Sequence, residues 1–245
     1  IRRSNGLPDA SALQIIVNKV GNVFTNIFYN GIYRSTNDGD SWIQTVNGIG
    51  NYLVTDLAVN TKDQLIVSTE GGGIFLSSDN GDTWTSINTG LPILDCININ
   101  VVEDELIFTR LYDNSLYRST NCGESWHLVG IGLENLFSTR IKKHPNGNLY
   151  AGIFEGGVYK SSDLGMHWSS ANAGIEYTVT RTIGIDSFSN IYIGTAGEGV
   201  LKSDDNGFSW HQENYGLLNS YVRDFTITKE SILYAATSGG VFRTS

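Results

Sequence analysis

Three prolines, two cysteines and one methionine are all that a chain of 245 residues contains. Each scarcity excludes something. Two cysteines do not make the disulfide framework that staples small secreted domains. Cys96 falls in a strand and Cys122 in a turn, far apart in the layout derived below, so both are expected as free thiols. So few prolines point to few stiff linkers. No run of 18 apolar residues occurs, so no membrane-spanning helix is encoded. The N-terminal IRRSNGLPDASALQIIV lacks the continuous apolar segment and cleavage site of a signal peptide, so an exported protein would already have shed its signal. Positive charge is also scarce. Sixteen Lys and Arg stand against 25 Asp and Glu, a net charge of −9 that argues against nucleic acid as the main partner. What the chain does have is glycine, 28 residues of it, and a 40% hydrophobic content ordinary for a globular core. Glycine in that quantity points to many tight turns.

The tryptophans at 42, 84, 126, 168 and 210 recur every 42 residues. Gly6, Gly48, Gly90, Gly132, Gly174 and Gly216 keep the same phase. A fixed period of this size signals a solenoid or a propeller, and the content of one unit decides between them. VTRTIGID (179–186) alternates as one strand, and NIYIGTAGEGVLKSDDNGFSW (190–210) reads as strand, glycine turn, strand, polar box, strand. Four short strands with no helical period are a propeller blade. A sixth copy runs through Tyr221–Phe225 and Ile232–Ala236 to Val241–Ser245 and stops where its box would begin. Ile1–Ser4 is then expected to be the outer strand of that last blade, paired with Val241–Thr244. The expectation is an all-β, six-bladed β-propeller with four-stranded antiparallel blades, spanning 1–245 as one domain and closed by the N-terminal strand.

Each tryptophan ends an eight-residue box: STNDGDSW (35–42), SSDNGDTW (77–84), STNCGESW (119–126), SSDLGMHW (161–168) and SDDNGFSW (203–210). These boxes resemble the Asp-box, or bacterial neuraminidase repeat, S/T-x-D-x-G-x-S/T-W. The resemblance implies kinship with a propeller superfamily that includes sialidases, xyloglucan-cleaving endoglucanases, sortilin-type receptors and a photosystem II assembly factor. Such a list mixes enzymes with receptors and chaperones, so it implies a fold and not a function. The residues suggest what the box does. The side chains of Asn37, Asp79, Asn121, Asp163 and Asp205 are placed to accept backbone N–H bonds and close a hairpin between the third and fourth strands. Gly39, Gly81, Gly123, Gly165 and Gly207 supply a positive φ, and Trp42, Trp84, Trp126, Trp168 and Trp210 cover the seam between blades. Asparagine in two of the five copies can bond but carries no charge, which argues against metal binding and acid–base chemistry in the box.

In a propeller the innermost strand lines the axial channel. Laid in phase, that strand has a wholly polar column, Gln14, Asp56, Asn98, Arg140, Thr182 and Asp224, beside a wholly apolar one, Ile15, Leu57, Ile99, Ile141, Ile183 and Phe225. The polar column is expected to face the channel and the apolar one to pack between blades. A plain pore wall would suffice, and a sharper reading holds a small polar ligand or ion between Asp56, Arg140 and Asp224. One residue earlier, the column Leu13, Thr55, Ile97, Thr139, Arg181, Arg223 sets two arginines at the channel mouth. Guanidinium forks suit carboxylates and other planar or anionic groups. The competing reading pairs each arginine with a neighbour such as Asp224 or Glu176. Aromatic residues crowd the loops of the same face: Phe28, Tyr29, Tyr52, Tyr112, Phe137, Phe154, Tyr177 and Tyr221. Such rings stack on sugars, anchor peptides or plug the ends of a core.

Catalysis finds less support. No carboxylate stands out among Glu70, Asp95, Asp113, Glu155, Glu176 and Glu198, and the Arg-Ile-Pro signature that the sialidase resemblance would require is missing. A xyloglucanase works between two propellers, and only one is encoded. His127, His144, His167 and His211 have no metal-ligand spacing, and no G-x-S-x-G nucleophile occurs. The sequence therefore favours a non-catalytic binding or scaffold module, monomeric and without metal or cofactor. Such a module would belong to a larger bacterial secreted, periplasmic or cell-envelope protein. Its glycan, peptide or anionic ligand would engage the loop face at Asp56, Arg140, Arg181, Arg223, Asp224, Tyr221, Tyr112 and Glu155. The alternatives are a sialidase-like glycoside hydrolase and an excised or engineered propeller with no retained ligand.

Overall fold

The computed structural model describes residues 4–134, 137–176, 179–214 and 216–243. Its regular elements are all strands, and no helix among the described residues is long and apolar enough to cross a membrane. Two compact units divide the chain, Ile1–Val129 and Gly130–Ser245.

The first unit holds three four-stranded antiparallel blades. Blade 1 is β1 (Ala12–Val17), β2 (Val23–Ile27), β3 (Gly31–Ser35) and β4 (Ile43–Gln44). Blade 2 is β5 (Leu53–Val59), β6 (Leu65–Glu70), β7 (Gly73–Ser77) and β8 (Thr85–Ser86). Blade 3 is β9 (Cys96–Val101), β10 (Ile107–Leu111), β11 (Leu116–Ser119) and β12 (His127–Val129). The second unit repeats the plan. Blade 4 is β13 (Phe137–Lys143), β14 (Leu149–Phe154), β15 (Gly157–Ser161) and β16 (Ser169–Ser170). Blade 5 is β17 (Thr180–Ile185), β18 (Ile191–Thr195), β19 (Val200–Ser203) and β20 (His211–Gln212). Blade 6 shows three strands, β21 (Val222–Ile227), β22 (Leu233–Thr237) and β23 (Gly240–Arg243). The fold is an all-β, six-bladed β-propeller of small antiparallel sheets. Of the strand pair expected to complete the last blade, Ile1–Arg3 and Thr244 lie outside the described residues.

Burial follows position within the blade. Leu65, Ile66 and Val67 in β6 are all inaccessible, because a middle strand is covered on both faces by neighbouring blades. Such strands read as continuous apolar runs and do not alternate. Cores form at the seams: Phe24 and Ile32 of blade 1 pack with Leu57, Leu65 and Val67 of blade 2. Tyr150 and Val158 of blade 4 pack likewise with Ile183, Ile191 and Ile193 of blade 5. The apolar column of the first strands is buried at Leu57, Ile99, Ile141 and Ile183, whereas Ile15, on the first blade of the chain, is 63% exposed.

The box closes the hairpin between third and fourth strands in every copy where it occurs. In blade 2 the Asp79 carboxylate accepts from Ser77 Oγ at 2.7 Å, from the Thr83 N–H at 2.9 Å and from the Thr83 hydroxyl, while Ser77 Oγ accepts the Gly81 N–H at 2.8 Å. In blade 1 Asn37 Oδ1 accepts from Ser35 Oγ and the Ser41 N–H, and Asn37 Nδ2 donates to Ser41 Oγ at 2.9 Å. Reversing the hydroxyl's role lets an amide replace a carboxylate without changing the turn. The indoles bridge blades. Trp84, Trp126 and Trp210 donate from Nε1 to Thr45, Ile87 and Ala171 of the preceding blade, whereas Trp168 donates to Gly165 of its own box. The phase-keeping glycines have a distinct job. The Trp126 N–H donates to Thr89 O at 2.9 Å, so the Thr89–Gly90 turn lies against the next box, and a Cβ on Gly90 would sit 2.3 Å from Trp126 O. The same latch recurs at Gly6, Gly48, Gly132 and Gly174.

Candidate binding site

Every first strand carries a β-bulge at one fixed position. Pairing with the second strand skips from Ala12 to Gln14, Val54 to Asp56, Cys96 to Asn98, Ser138 to Arg140, Thr180 to Thr182 and Val222 to Asp224. The skipped residues are Leu13, Thr55, Ile97, Thr139, Arg181 and Arg223. A bulge leaves its extra residue out of the ladder and re-aims the side chain. Arg181 and Arg223 thus stand on the residues that the sheet does not use.

The bulge also explains the polar column in the first unit. Gln14 Oε1 accepts the N–H of Leu57 in the next blade at 3.0 Å, and Asp56 accepts its own Leu57 N–H at 2.9 Å and the Ile99 N–H at 3.1 Å. Asn98 Oδ1 accepts the Arg110 N–H at 3.3 Å. Asp56 is therefore spent on backbone donors. Tyr112 stands exposed on the β10–β11 turn, its N–H donated to Asp95 O at 2.9 Å.

In the second unit the strands β13, β17 and β21 border an open cavity of about 470 Å³ lined by Arg140, Lys142, Thr182, Asp224 and Phe225 among others. Arg140 Nη2 lies 3.7 Å from Asp224 Oδ2, and Asp224 Oδ1 accepts the Phe225 N–H at 2.9 Å. Gly184 makes room for the Phe225 ring, since a Cβ there would approach it to 2.6 Å. Lys142 stands among these strands, and burial first, then Arg140, lowers its pKa from the usual lysine value, with Asp224 opposing.

Beside the cavity, at the bulges of β17 and β21, four side chains form a stack. The Arg181 guanidinium carbon lies 4.7 Å from the Tyr221 ring centre and 5.6 Å from that of Phe154, and Arg223 lies 5.6 Å from the same Tyr221. Tyr221 is fixed by its bridge to Ala196 and by its N–H donated to Asn219 Oδ1 at 2.8 Å. Arg181 Nε is buried without a hydrogen-bond partner. Among the described residues neither Arg181 nor Arg223 makes an ion pair, so the competing reading, neutralisation by Asp224 or Glu176, describes Arg140 alone. Glu155 follows Phe154 on the β14–β15 turn, exposed and with φ +60°. The structure thus brings together Arg140 with Asp224, and Arg181 with Tyr221 and Arg223, while Asp56 and Tyr112 belong to the other unit. Tyr177, one of the loop aromatics, lies outside the described residues.

Sequence reasoning missed the bulge and the asparagine latch. Asn88, Asn172 and Asn214 accept the Ile74, Val158 and Val200 N–H groups through Oδ1 and donate Nδ2 to Gly72, Gly156 and Glu198 carbonyls. These bonds pin the turn between second and third strands on which Glu155 sits. The signal was present as an asparagine two residues before Gly90, Gly174 and Gly216.

No protein-family model and no curated protein sequence matches the chain. Solved structures do. YCF48 bound to D1 peptide superposes with a TM-score of 0.74 at 14% identity, over 98% of this chain and 79% of that one. The extracellular domain of the putative hybrid two-component system BT3049 from B. thetaiotaomicron gives 0.75 at 16% identity, over 100% of this chain and 35% of that one. The ancestral GH74 enzyme AFV00434 gives 0.73 at 18%, over 99% of this chain and 37% of that one. The chain thus spans little more than a third of the latter two. At these identities the likeness establishes one thing: the chain has the β-propeller fold.

Proposed function

We propose that the chain is a non-catalytic binding module that holds an anionic group, carried by a peptide, between Arg181 and Arg223. The observation that carries this reading is the stack itself. Two guanidiniums share the Tyr221 ring, and neither has a carboxylate partner among the described residues. Stacking uses the guanidinium faces and leaves their N–H edges for a ligand.

The electrostatics favour binding over hydrolysis. A glycosidase acid needs a carboxyl group whose pKa is raised. Among the described residues every carboxylate with a displaced pKa is displaced downward: Asp79, Asp104, Asp113, Glu134, Asp163, Asp205 and Glu230. The box bonds support membership of the Asp-box branch of the propellers. The peptide-bound and extracellular-domain neighbours support a peptide ligand and a place within a larger bacterial secreted or envelope protein.

Titration calorimetry with an acetylated hexaglutamate peptide tests the reading. The wild-type protein is expected to bind in a salt-sensitive way, and Arg181→Ala with Arg223→Ala to weaken binding at least about tenfold, roughly one charge-assisted hydrogen bond. Unchanged affinity in the double variant overturns it.

A further inference from the structure

The first unit has a pocket of the opposite character. About 390 Å³ in volume, it is lined by Tyr29, Asn51, Tyr52, Leu53 and Glu70. Its walls are built for exposure. The Phe28 and Tyr29 rings lie 4.1 Å apart, tilted by 56°, and Tyr29 remains 75% exposed. Tyr29 also takes a left-handed backbone, φ +59°, at the turn position where the next blade has Gly71. A bulky residue there costs stability that a glycine would not. The Tyr52 ring lies on the turn after Glu70, where a Cβ on Gly72 would meet it at 2.4 Å, so glycine is what lets that wall stand close.

The turns of this end of the first unit, residues 7–11, 28–31, 49–53, 70–73, 90–96 and 111–116, contain Asp9, Glu70, Asp95 and Asp113 and no lysine or arginine. A neutral ligand without hydrogen-bond donors would have to strip water from Glu70 without compensation. A cation is attracted both by the carboxylate and by the faces of the tyrosines. We propose that this pocket receives an organic ammonium group, its carbon-bound surface against Tyr29 and Tyr52 and its charge beside Glu70. A small quaternary amine and an alkylated lysine side chain share that chemistry. The site is independent of the arginine stack.

The test is titration followed by tyrosine fluorescence and calorimetry, with choline, its neutral isostere 3,3-dimethylbutan-1-ol, N-acetyl-trimethyllysine amide and cellobiose at matched ionic strength. Choline is expected to bind at least about tenfold more tightly than the isostere. Preference for the lysine derivative over choline assigns the ligand to a peptide, and the reverse assigns it to a free amine. Glu70→Gln and Tyr29→Asn are each expected to weaken ammonium binding severalfold. Asparagine accepts the left-handed backbone, so Tyr29→Asn should leave the melting temperature unchanged or higher, separating loss of binding from loss of fold. Equal binding of the isostere, indifference to both substitutions, or cellobiose binding that Glu70→Gln does not affect would each overturn the proposal.

Discussion

Asp79 shows how much of an acidic motif is structural. Its pKa is held down to about 2, first by the Thr83 hydroxyl, then by the Thr83 N–H and Ser77, and Asp205 is held at about 2 by Ser209 in the same way. A carboxylate near 3.9 in the unfolded chain and near 2 in the fold stabilises above the higher value and loses that contribution as pH falls through the lower. Asp79 is exposed and Asp205 only half-buried, so the contribution is modest. Asn37 makes the equivalent bonds without charge, so Asp79→Asn is expected to cost about 1 kcal/mol or less at pH 7. Asp79→Ala, which strips all three acceptor contacts, is expected to cost about 2–3 kcal/mol; urea denaturation measures both. Leu164 is the weakest residue of the boxes. It holds φ +58° where the other copies place Asp38, Asn80, Cys122 and Asn206. Leu164→Asn should therefore stabilise the protein by about 1 kcal/mol, and an unchanged or lower melting temperature would contradict that account.

At the scale of strands and turns, the latch between the phase glycine and the next box separates two causes of glycine dependence. Gly90 and Gly216 both have positive φ, +94° and +76°, but only Gly90 lies against a tryptophan carbonyl. Gly216→Ala is expected to cost about 1–2 kcal/mol from backbone strain alone. Gly90→Ala adds a steric clash and is expected to cost distinctly more; equal losses would show that the latch carries no weight. The strands themselves were legible, because a strict period of 42 averages away local ambiguity: VTRTIGID alternates as one strand, and β17 occupies Thr180–Ile185. The bulge was not legible. One extra residue in a period-two pattern leaves only a column of mixed character, Leu13 to Arg223, neither core nor channel. The stack escaped for a related reason: Phe154, Arg181 and Tyr221 come from three different blades, and nothing in their spacing says that they meet. The polar column reads first as a plain pore wall and more sharply as a ligand site; Gln14 and Asp56 accept amides of the next blade's first strand.

At the scale of the whole molecule, a net charge of −9 makes the arginine stack an exception within its own field. Arg223 is exposed and Arg181 half-buried, so their attraction for an anion is screened by salt over about 10 Å at 0.1 M. Binding governed by the stack should therefore weaken as salt rises. The most direct measurement observes the arginine side chains themselves, through the nitrogen-15 NMR signals of their Nε–H groups during titration with acetylated hexaglutamate. The account predicts that the Arg181 and Arg223 signals move together along one saturable isotherm. Signals of both that stay in place while the peptide binds elsewhere would contradict it.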